Sequence, residues 1–239
     1  MSQSLSPRAV LLTCVLGLNG GCISTQDVGV AEPNDRVNSV QEVALEDAGK
    51  HPNITLASDA NWEVYSSRNL EPAAYLGQAQ PVCASVESAA ECPNAVLFNV
   101  GSHGWSGRID ACEKEARWIW APGIVGTTAP SEMAQYYFVN HVTLASRPAS
   151  AKIRLAVDDQ AEILINGTAI ATIGSTTDKE VAWASQINPS TFDIASALVT
   201  GPNTIVIRAA NGSGAFSNCT QCTYRQNPAG VVFCIDVRY

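Results

Sequence analysis

The sequence predicts an all-β sandwich, and three observations support this prediction. From Trp62 onward, short runs rich in β-branched and aromatic residues alternate with clusters of Gly, Pro, Asn and Ser. No regular helical pattern separates these runs, which argues against an α/β fold. The chain has 239 residues, of which 46% are hydrophobic and 15% are charged, and this composition is sufficient for one domain with a full core.

The candidate strands show the alternation expected of a sheet with one buried face. Ile153, Leu155 and Val157, for example, alternate with Arg154 and Ala156. The full set of candidate strands is Trp62–Ser66, Ala95–Val100, Arg117–Trp120, Gln135–Leu144, Ala151–Val157, Ala161–Ile165, Thr168–Ile173, Lys179–Ala184, Asn203–Ala209 and Gly230–Arg238.

The strongest local signal is the dipeptide Asn166-Gly167. It stands between the candidate strands Ala161–Ile165 and Thr168–Ile173. Both residues accept a positive φ, which the central positions of a type I′ turn require. The sequence therefore predicts a β-hairpin with its turn at these two residues.

The first 22 residues have the organisation of an export signal. Arg8 supplies the positive charge, Ala9–Leu18 is an apolar stretch too short to span a bilayer, and small residues precede Cys22. This order predicts a lipoprotein signal, with Cys22 acylated and membrane contact through the lipid alone. Asn19 departs from that pattern, and ordinary cleavage nearby, giving a secreted protein, is the alternative.

Residues 23–60 are polar and acidic, with no sustained apolar period. Pro33, Gly49 and Pro52 interrupt the acidic residues. Such a segment predicts a flexible, disordered tether that holds the sandwich, residues 61–239, away from a surface.

Cysteine usage also predicts export. Of the eight cysteines, Cys14 falls in the signal and Cys22 would carry the lipid. An even number remains in the body of the protein, which predicts a disulfide framework. Cys83 and Cys92 flank a short loop and are the best local pair, whereas the pairing of the others stays open. The body cysteines are Cys83, Cys92, Cys112, Cys219, Cys222 and Cys234.

Several segments resemble galactose-binding-like jelly-roll modules. The similarity lies in Trp118-Ile119-Trp120, in the run from Ala156 to Gly167, in the run from Gly201 to Asn211, and in the closing strand from Gly230, so that it covers roughly residues 60–239. Similar modules are appended to bacterial glycosidases, including rhamnosidases, and to surface proteins. The resemblance implies a jelly-roll β-sandwich and an association with carbohydrate, but it fixes no ligand.

The spacing Cys219-Thr220-Gln221-Cys222 is shared by redox and zinc motifs. A zinc site needs a second ligand pair, and His51, His103 and His141 are scattered along the chain. A thioredoxin-like motif opens a helix, whereas this one lies in a loop rich in Gly, Asn, Ser and Pro. We therefore expect a disulfide that braces the loop.

Asp158 and Asp159 form an acidic pair ahead of the predicted hairpin. Our first interpretation is a turn cap, and the alternative is a cation site, for calcium in particular. Neighbouring residues of a strand point to opposite faces, so we expect the two carboxylates not to face one substrate together. Glycosidase carboxylates flank a bond about 5–9 Å apart and come from different elements, and we expect no catalysis from this pair.

Tryptophans provide the best case for a ligand, because sugar rings stack on aromatic faces while nearby polar groups bind their hydroxyls. We expect Trp105 in an exposed loop beside Arg108 and Asp110, and Trp183 near the end of a strand. These residues are the candidate ligand-binding set.

The sequence predicts a non-enzymatic, surface-tethered binding module that recognises a carbohydrate through loops at one end of the sandwich. The alternative is a structural or protein-interaction envelope lipoprotein without a sugar site, and a hydrolase dependent on Asp158 is a distant third. The net charge is −8 and no basic run is present, which argues against nucleic acid as a partner.

Overall fold

The computed structural model describes residues 51–83, 95–98, 105, 112 and 115–239. They belong to one compact unit, Asp47–Tyr239. Its strands are β1 (Ile54–Ala57), β2 (Glu63–Tyr65), β3 (Tyr75–Gln78), β4 (Gln80–Cys83), β5 (Val96–Leu97), β6 (Ile119–Trp120), β7 (Gln135–Leu144), β8 (Ser150–Asp158), β9 (Gln160–Ile165), β10 (Thr168–Gly174), β11 (Ser190–Asp193), β12 (Gly201–Ala210) and β13 (Gly230–Arg238). The described residues also contain one α-helix, α1 (Lys179–Ile187), and short 3₁₀ helices at Pro72–Ala74, Ala195–Ala197 and Gly214–Ser217.

The strands form two sheets, which confirms the predicted all-β sandwich. The first sheet has the order β11-β8-β13-β6-β4-β5, with β1 also paired to β13. The second sheet has the order β10-β9-β12-β7-β2-β3. All pairs are antiparallel except the short pair of β4 with β5.

The core lies between the two sheets. In β8, Ile153, Leu155 and Val157 are fully buried, as the alternation predicts, whereas Ala156 is also buried, in a separate cluster with Val232 and Cys234. Across the core, Trp62 packs its ring edge-on against Phe233, with the centroids 4.6 Å apart. Each fully buried side chain of this size stabilises the fold by roughly 1.5–3 kcal/mol.

The sandwich begins earlier in the chain than the sequence indicated. Strand β1 lies inside the range 23–60 that we assigned to the tether, and it pairs with β13 from Ile54↔Val237 to Ala57↔Cys234. The predicted start of the sandwich after residue 60 is therefore too late. Strand β1 is short and is flanked by polar residues, so the sequence pattern did not indicate it. The predicted signal at residues 1–22, with Cys14 and Cys22, and residues 23–50 lie outside the described residues.

The segment Lys179–Ala184, predicted as a strand, is the start of α1. Asp178 caps this helix, with its side chain accepting a hydrogen bond of 3.1 Å from the Val181 N–H, and Glu180 places a negative charge in the first turn. Val181 and Trp183 gave the segment an apparent two-residue period. The cap and the first-turn acid were the signals that should have outweighed it.

The predicted hairpin is confirmed. Asn166 and Gly167 have φ values of 51° and 80°, and they join β9 to β10 directly. The Asn166 side chain also accepts a hydrogen bond of 2.9 Å from the Thr204 N–H, so the turn is tied to the neighbouring strand β12.

Two disulfides are defined, Cys112–Cys234 and Cys219–Cys222. The second confirms that the C-x-x-C motif braces a loop. Cys83 is also disulfide-bonded, but Cys92 lies outside the described residues and its pairing with Cys83 stays a prediction. Disulfides persist in oxidising compartments, so they indicate an extracellular or exported protein.

Within the described ranges, no helix combines the length and the hydrophobicity that a membrane crossing requires.

A matched pair of glycine substitutions tests the packing between β10 and the junction of β8 with β9. Gly174 and Gly167 both have positive φ, but a Cβ would overlap the Asp159 carbonyl oxygen at Gly174 and would meet nothing within 4 Å at Gly167. We expect Gly167→Ala to lower the free energy of unfolding by about 1–2 kcal/mol and Gly174→Ala to lower it by roughly 3 kcal/mol or more. Urea denaturation measures both, and equal losses would contradict the contact.

Candidate functional site

A cleft with a volume of about 390 Å³ opens at one end of the sandwich. Strands β8 and β13 pair at Asp158↔Gly230 there, and Gln160, the first residue of β9, faces Ala210 of β12 and Gly174 of β10. The cleft therefore lies among the loops that join the two sheets. Helix α1 forms one wall, and the loop between β12 and β13 forms the other.

The helix wall presents one face of α1. Lys179, Ala182, Trp183 and Gln186 all line the cleft, and their spacing of three and four residues places them on the same side of a helix. Trp183 keeps 50% of its surface exposed. Ser185 anchors the helix from its buried side, because its hydroxyl oxygen lies 3.0 Å from the Val157 carbonyl oxygen and 3.1 Å from that of Asp159.

The opposite wall comes from two short segments of one loop, residues 216–218 and 226–228. The Cys219–Cys222 disulfide lies between them. The Cys222 N–H donates to Glu132 Oε1 at 2.8 Å, which ties the loop to the body of the domain. Asn227 is buried and accepts a hydrogen bond of 3.1 Å from the Ser217 hydroxyl, while its Nδ2 has no partner among the described residues.

The floor of the cleft is the acidic pair Asp158 and Asp159, which are 5% and 4% exposed. Both carboxylates accept a hydrogen bond from the same Gln186 Nε2, at 2.7 Å and 3.3 Å. Our expectation that they face opposite directions is therefore wrong. The alternation rule holds within a strand, whereas β8 ends at Asp158 and the chain passes to the other sheet at the next residue. The peptide bond between the two residues is cis.

Further hydrogen bonds fix the other carboxylate oxygens. Trp105 Nε1 donates to Asp158 Oδ2 at 2.7 Å, and the Gly212 N–H donates to Asp159 Oδ2 at 2.7 Å. A Cβ at Gly212 would lie only 2.6 Å from the same oxygen, so glycine permits this approach. Because these donors come from distant segments, the pair does not cap its local turn, and that interpretation is wrong.

Burial also affects the protonation of the two carboxyl groups. It raises the pKa of both carboxyl groups, and the nearby negative charge of Asp159 raises the pKa of Asp158 further. Two buried carboxyl groups this close retain a proton more readily than isolated ones.

The geometry of the pair is that of a hydrogen-bonded structural unit. All four carboxylate oxygens accept an N–H bond, whereas calcium takes six to eight oxygen ligands. The described part of the chain contains no cluster of three or more acidic, histidine or cysteine side chains arranged to hold a metal.

Trp105 occupies a different environment from the exposed loop that we expected. It is 8% exposed and stacks on Trp118, with the ring centroids 4.4 Å apart. A Cβ at Gly230 would lie 2.9 Å from the Trp105 ring, so this glycine leaves room for the stack. Among the described residues, the polar contact of Trp105 with the site is its hydrogen bond to Asp158, and Arg108 and Asp110 lie outside the described residues.

Trp183 is the predicted binding residue that lies in the cleft itself, on α1 instead of near a strand end. Gln186, Phe216 and Asn227 also line the cleft, and sequence reasoning did not identify them. A helical period over residues 179–186 would have placed Gln186 beside Trp183. No local pattern could have found the other two.

No family model and no curated protein matches this sequence. Among solved structures, an α-L-rhamnosidase from Streptomyces avermitilis complexed with L-rhamnose is similar with 21% identity and a TM-score of 0.38, covering 50% of this chain and 10% of that one. A rhamnosidase from Novosphingobium sp. PP1Y has 18% identity and a TM-score of 0.37, covering 81% and 16%. A β-glucuronidase from Ruminococcus gnavus has 12% identity and a TM-score of 0.39, covering 81% and 30%. This chain thus spans less than a third of each of these three chains.

The acidic pair predicts a pH dependence of stability. A raised pKa means that the folded protein keeps a proton that the unfolded chain loses above about pH 4. The free energy of unfolding should therefore fall as the pH rises from 4 towards 8. Asp158→Asn imitates the protonated acid, and we expect it to reduce this fall.

Urea denaturation across that pH range measures the effect, with Glu180→Gln, an exposed acid on α1, as the control. Parallel pH profiles for wild type and Asp158→Asn would contradict the shared proton.

Proposed function

We propose that the cleft binds a saccharide and that the chain is a non-catalytic binding module of an exported protein. The observation that carries this proposal is the half-exposed indole of Trp183 beside the amides of Gln186 and Asn227 in one concave site. The C–H faces of a sugar ring pack on an aromatic face, and amide groups match its hydroxyls. A volume of about 390 Å³ is of the size that small-ligand clefts have.

The rigidity of both walls supports the proposal. Ser185 fixes α1 against the junction of β8 with β9, and the Cys219–Cys222 disulfide constrains the opposite loop. Asn211 adds to this by donating to the Ser131 carbonyl oxygen at 2.9 Å and to the Asn227 carbonyl oxygen at 3.2 Å. A preformed site loses less conformational entropy on binding, which matters for weakly held sugars.

The chemistry of the floor supports binding over hydrolysis. Glycosidases use one carboxyl group as the acid and a second as the base or nucleophile, on either side of the scissile bond. Asp158 and Asp159 instead share one amide donor and are nearly excluded from solvent. Carboxyl groups held in this way can orient the Gln186 side chain, which is a structural role and not a catalytic one.

A second candidate function is a protein contact without a sugar site. The exposed surface of α1 favours it, because Val181 and Ile187 are 45% and 42% exposed on the same helix as Trp183. A protein partner would bury these side chains together, whereas a sugar would need Trp183 alone. Substitution of Val181 therefore separates the two functions.

Attachment to the cell envelope remains part of the proposal. Acylation of Cys22 would hold the module at a membrane surface while the sandwich remains in solution. Calcium at the acidic pair is a less favoured addition, since each carboxylate oxygen already has an N–H donor.

Two α1 variants test the saccharide proposal. Trp183→Ala removes the stacking face and should weaken binding to glycans by about tenfold or more, since the loss of a buried aromatic contact costs roughly 1.5–3 kcal/mol. Val181→Ala, on the same helix but outside the cleft lining, should leave binding unchanged. A glycan array followed by calorimetry on residues 51–239 measures both.

Equal affinities of Trp183→Ala and wild type would contradict the proposal, as would the absence of any bound glycan. A loss caused by Val181→Ala would favour the protein contact.

A further inference from the structure

We propose that Gln186 presents its side-chain carbonyl oxygen to the cleft as a fixed hydrogen-bond acceptor, and that the site therefore selects neutral saccharides through a hydroxyl group that donates to it. Trp105, Asp158 and Asp159 are positioning residues for this amide. The inference rests on the proposed function and adds the class of ligand.

The orientation of the amide follows from its partners. Gln186 Nε2 lies 2.7 Å from Asp158 Oδ1 and 3.3 Å from Asp159 Oδ1. The proton that the pair retains lies in the hydrogen bond between its two carboxyl groups. The oxygens that face Gln186 therefore accept hydrogen bonds, which requires the NH₂ group of the amide and excludes its carbonyl oxygen. Both amide protons are directed at the acidic pair, and the planar group turns Oε1 the other way.

Gln186 Oε1 then faces the cleft. No residue in the described ranges donates a hydrogen bond to Gln186 Oε1. This oxygen is also absent from the solvent-excluded side-chain atoms without a partner, so it is accessible. Gln186 is half-buried and lines the cavity. The open position opposite Oε1 therefore suits a ligand group that donates.

Asp158 and Asp159 can fix the orientation of the Gln186 amide because their own positions are fixed by the protein core. Trp105 is stacked on Trp118 and donates to Asp158, and the Gly212 N–H fixes Asp159. A continuous chain of contacts thus runs from the core to the Gln186 amide. Flipping the amide would bring Oε1 against carboxylate oxygens and leave the Oδ1 atoms of Asp158 and Asp159 without the N–H donor that they now share.

The neighbouring groups define the ligand class. Trp183 lies one helical turn before Gln186 on the same face, so one sugar ring can stack on the indole and donate a hydroxyl to Oε1. A carboxylate or sulfate in that position would meet the carbonyl oxygen and the negative pair behind it. Lys179 also lines the cleft, and its Cα lies about 10 Å before that of Gln186 along the helix axis, so the experiment below includes a test of dependence on Lys179.

The first experiment compares matched probes on the full chain. Calorimetry is carried out with the methyl glycosides of glucose and galactose and with their uronic acids. We expect the tighter neutral glycoside to bind at least about tenfold more strongly than its uronic acid, and Gln186→Met to remove most of that preference. A uronic acid that binds as tightly as its neutral counterpart, or that depends on Lys179, would overturn the proposal.

The second experiment identifies the direction of the hydrogen bond. Deoxy and deoxyfluoro analogues of the tighter glycoside are compared, because fluorine accepts weakly and cannot donate. At one ring position both analogues should lose about tenfold in affinity for wild type and little for Gln186→Met. Retention of affinity by the fluoro analogue at every position that the deoxy analogue weakens would show that the ligand accepts, and would refute the assignment.

The third experiment needs no ligand. The side-chain NH₂ protons of Gln186, assigned by their loss in Gln186→Met, should exchange with water at least about tenfold more slowly than those of Gln226, which lines the same cleft without an acidic partner. The double variant Asp158→Asn, Asp159→Asn should remove the protection. Equal exchange rates would refute the fixed amide. Slow exchange together with no binding of any glycoside would leave the amide geometry intact and refute the saccharide function, and with it the ligand class.

Discussion

Two adjacent carboxyl groups, those of Asp158 and Asp159, are buried at the point where the chain leaves the first sheet and enters the second. Burying a carboxylate is unfavourable unless hydrogen bonds replace its water, and removal of one partner of a buried charged group costs about 3–5 kcal/mol. The surrounding structure therefore has to supply donors from several directions at once. The donors are the indole N–H of Trp105, the side-chain NH₂ group of Gln186 and the backbone N–H of Gly212.

This requirement explains the residues around the junction. Gly212 can bring its N–H to Asp159 only because it lacks a Cβ, and Gly174 passes against the backbone of the same residue for the same reason. Gly230 leaves space for the stacked ring of Trp105, which supplies the donor for Asp158. Three glycines from three elements thus serve one pair of acids, although they are distant from one another in sequence.

Parts of this structure follow from local sequence, and other parts do not. The alternation in β8, the turn at Asn166-Gly167 and the disulfide brace at Cys219–Cys222 each depend on residues close together in the chain. Helix α1 was mistaken for a strand, because nine residues are too few for the apolar period to outweigh an apparent alternation. The N-cap residue Asp178 is a helix signal in the sequence, but the two-residue spacing of Val181 and Trp183 is typical of a strand.

The candidate site was less predictable than the fold, because its contacts join distant segments. Trp105 and Asp158 are separated by 53 positions and Asp159 and Gly212 by the same number. The sequence singled out Trp183, and the structure places this residue in the cleft at one end of the sandwich, but its role in binding stays a prediction. The sequence placed Trp105 at the surface because its neighbouring glycines are typical of exposed loops, whereas Trp105 itself is buried.

The role of the acids follows from what they contact. A carboxyl group that reacts with a ligand must reach it, yet the oxygens of this pair are directed at protein N–H groups. A carboxyl group that orients a neighbour needs only a rigid support, and Trp105, stacked on Trp118, provides one. The same burial that removes the acids from the ligand makes their hold on Gln186 stronger, because a low local dielectric strengthens each hydrogen bond. The acids therefore act on the cleft through the Gln186 amide that they fix, and under the proposed function this amide contacts the ligand while the buried carboxyl groups do not.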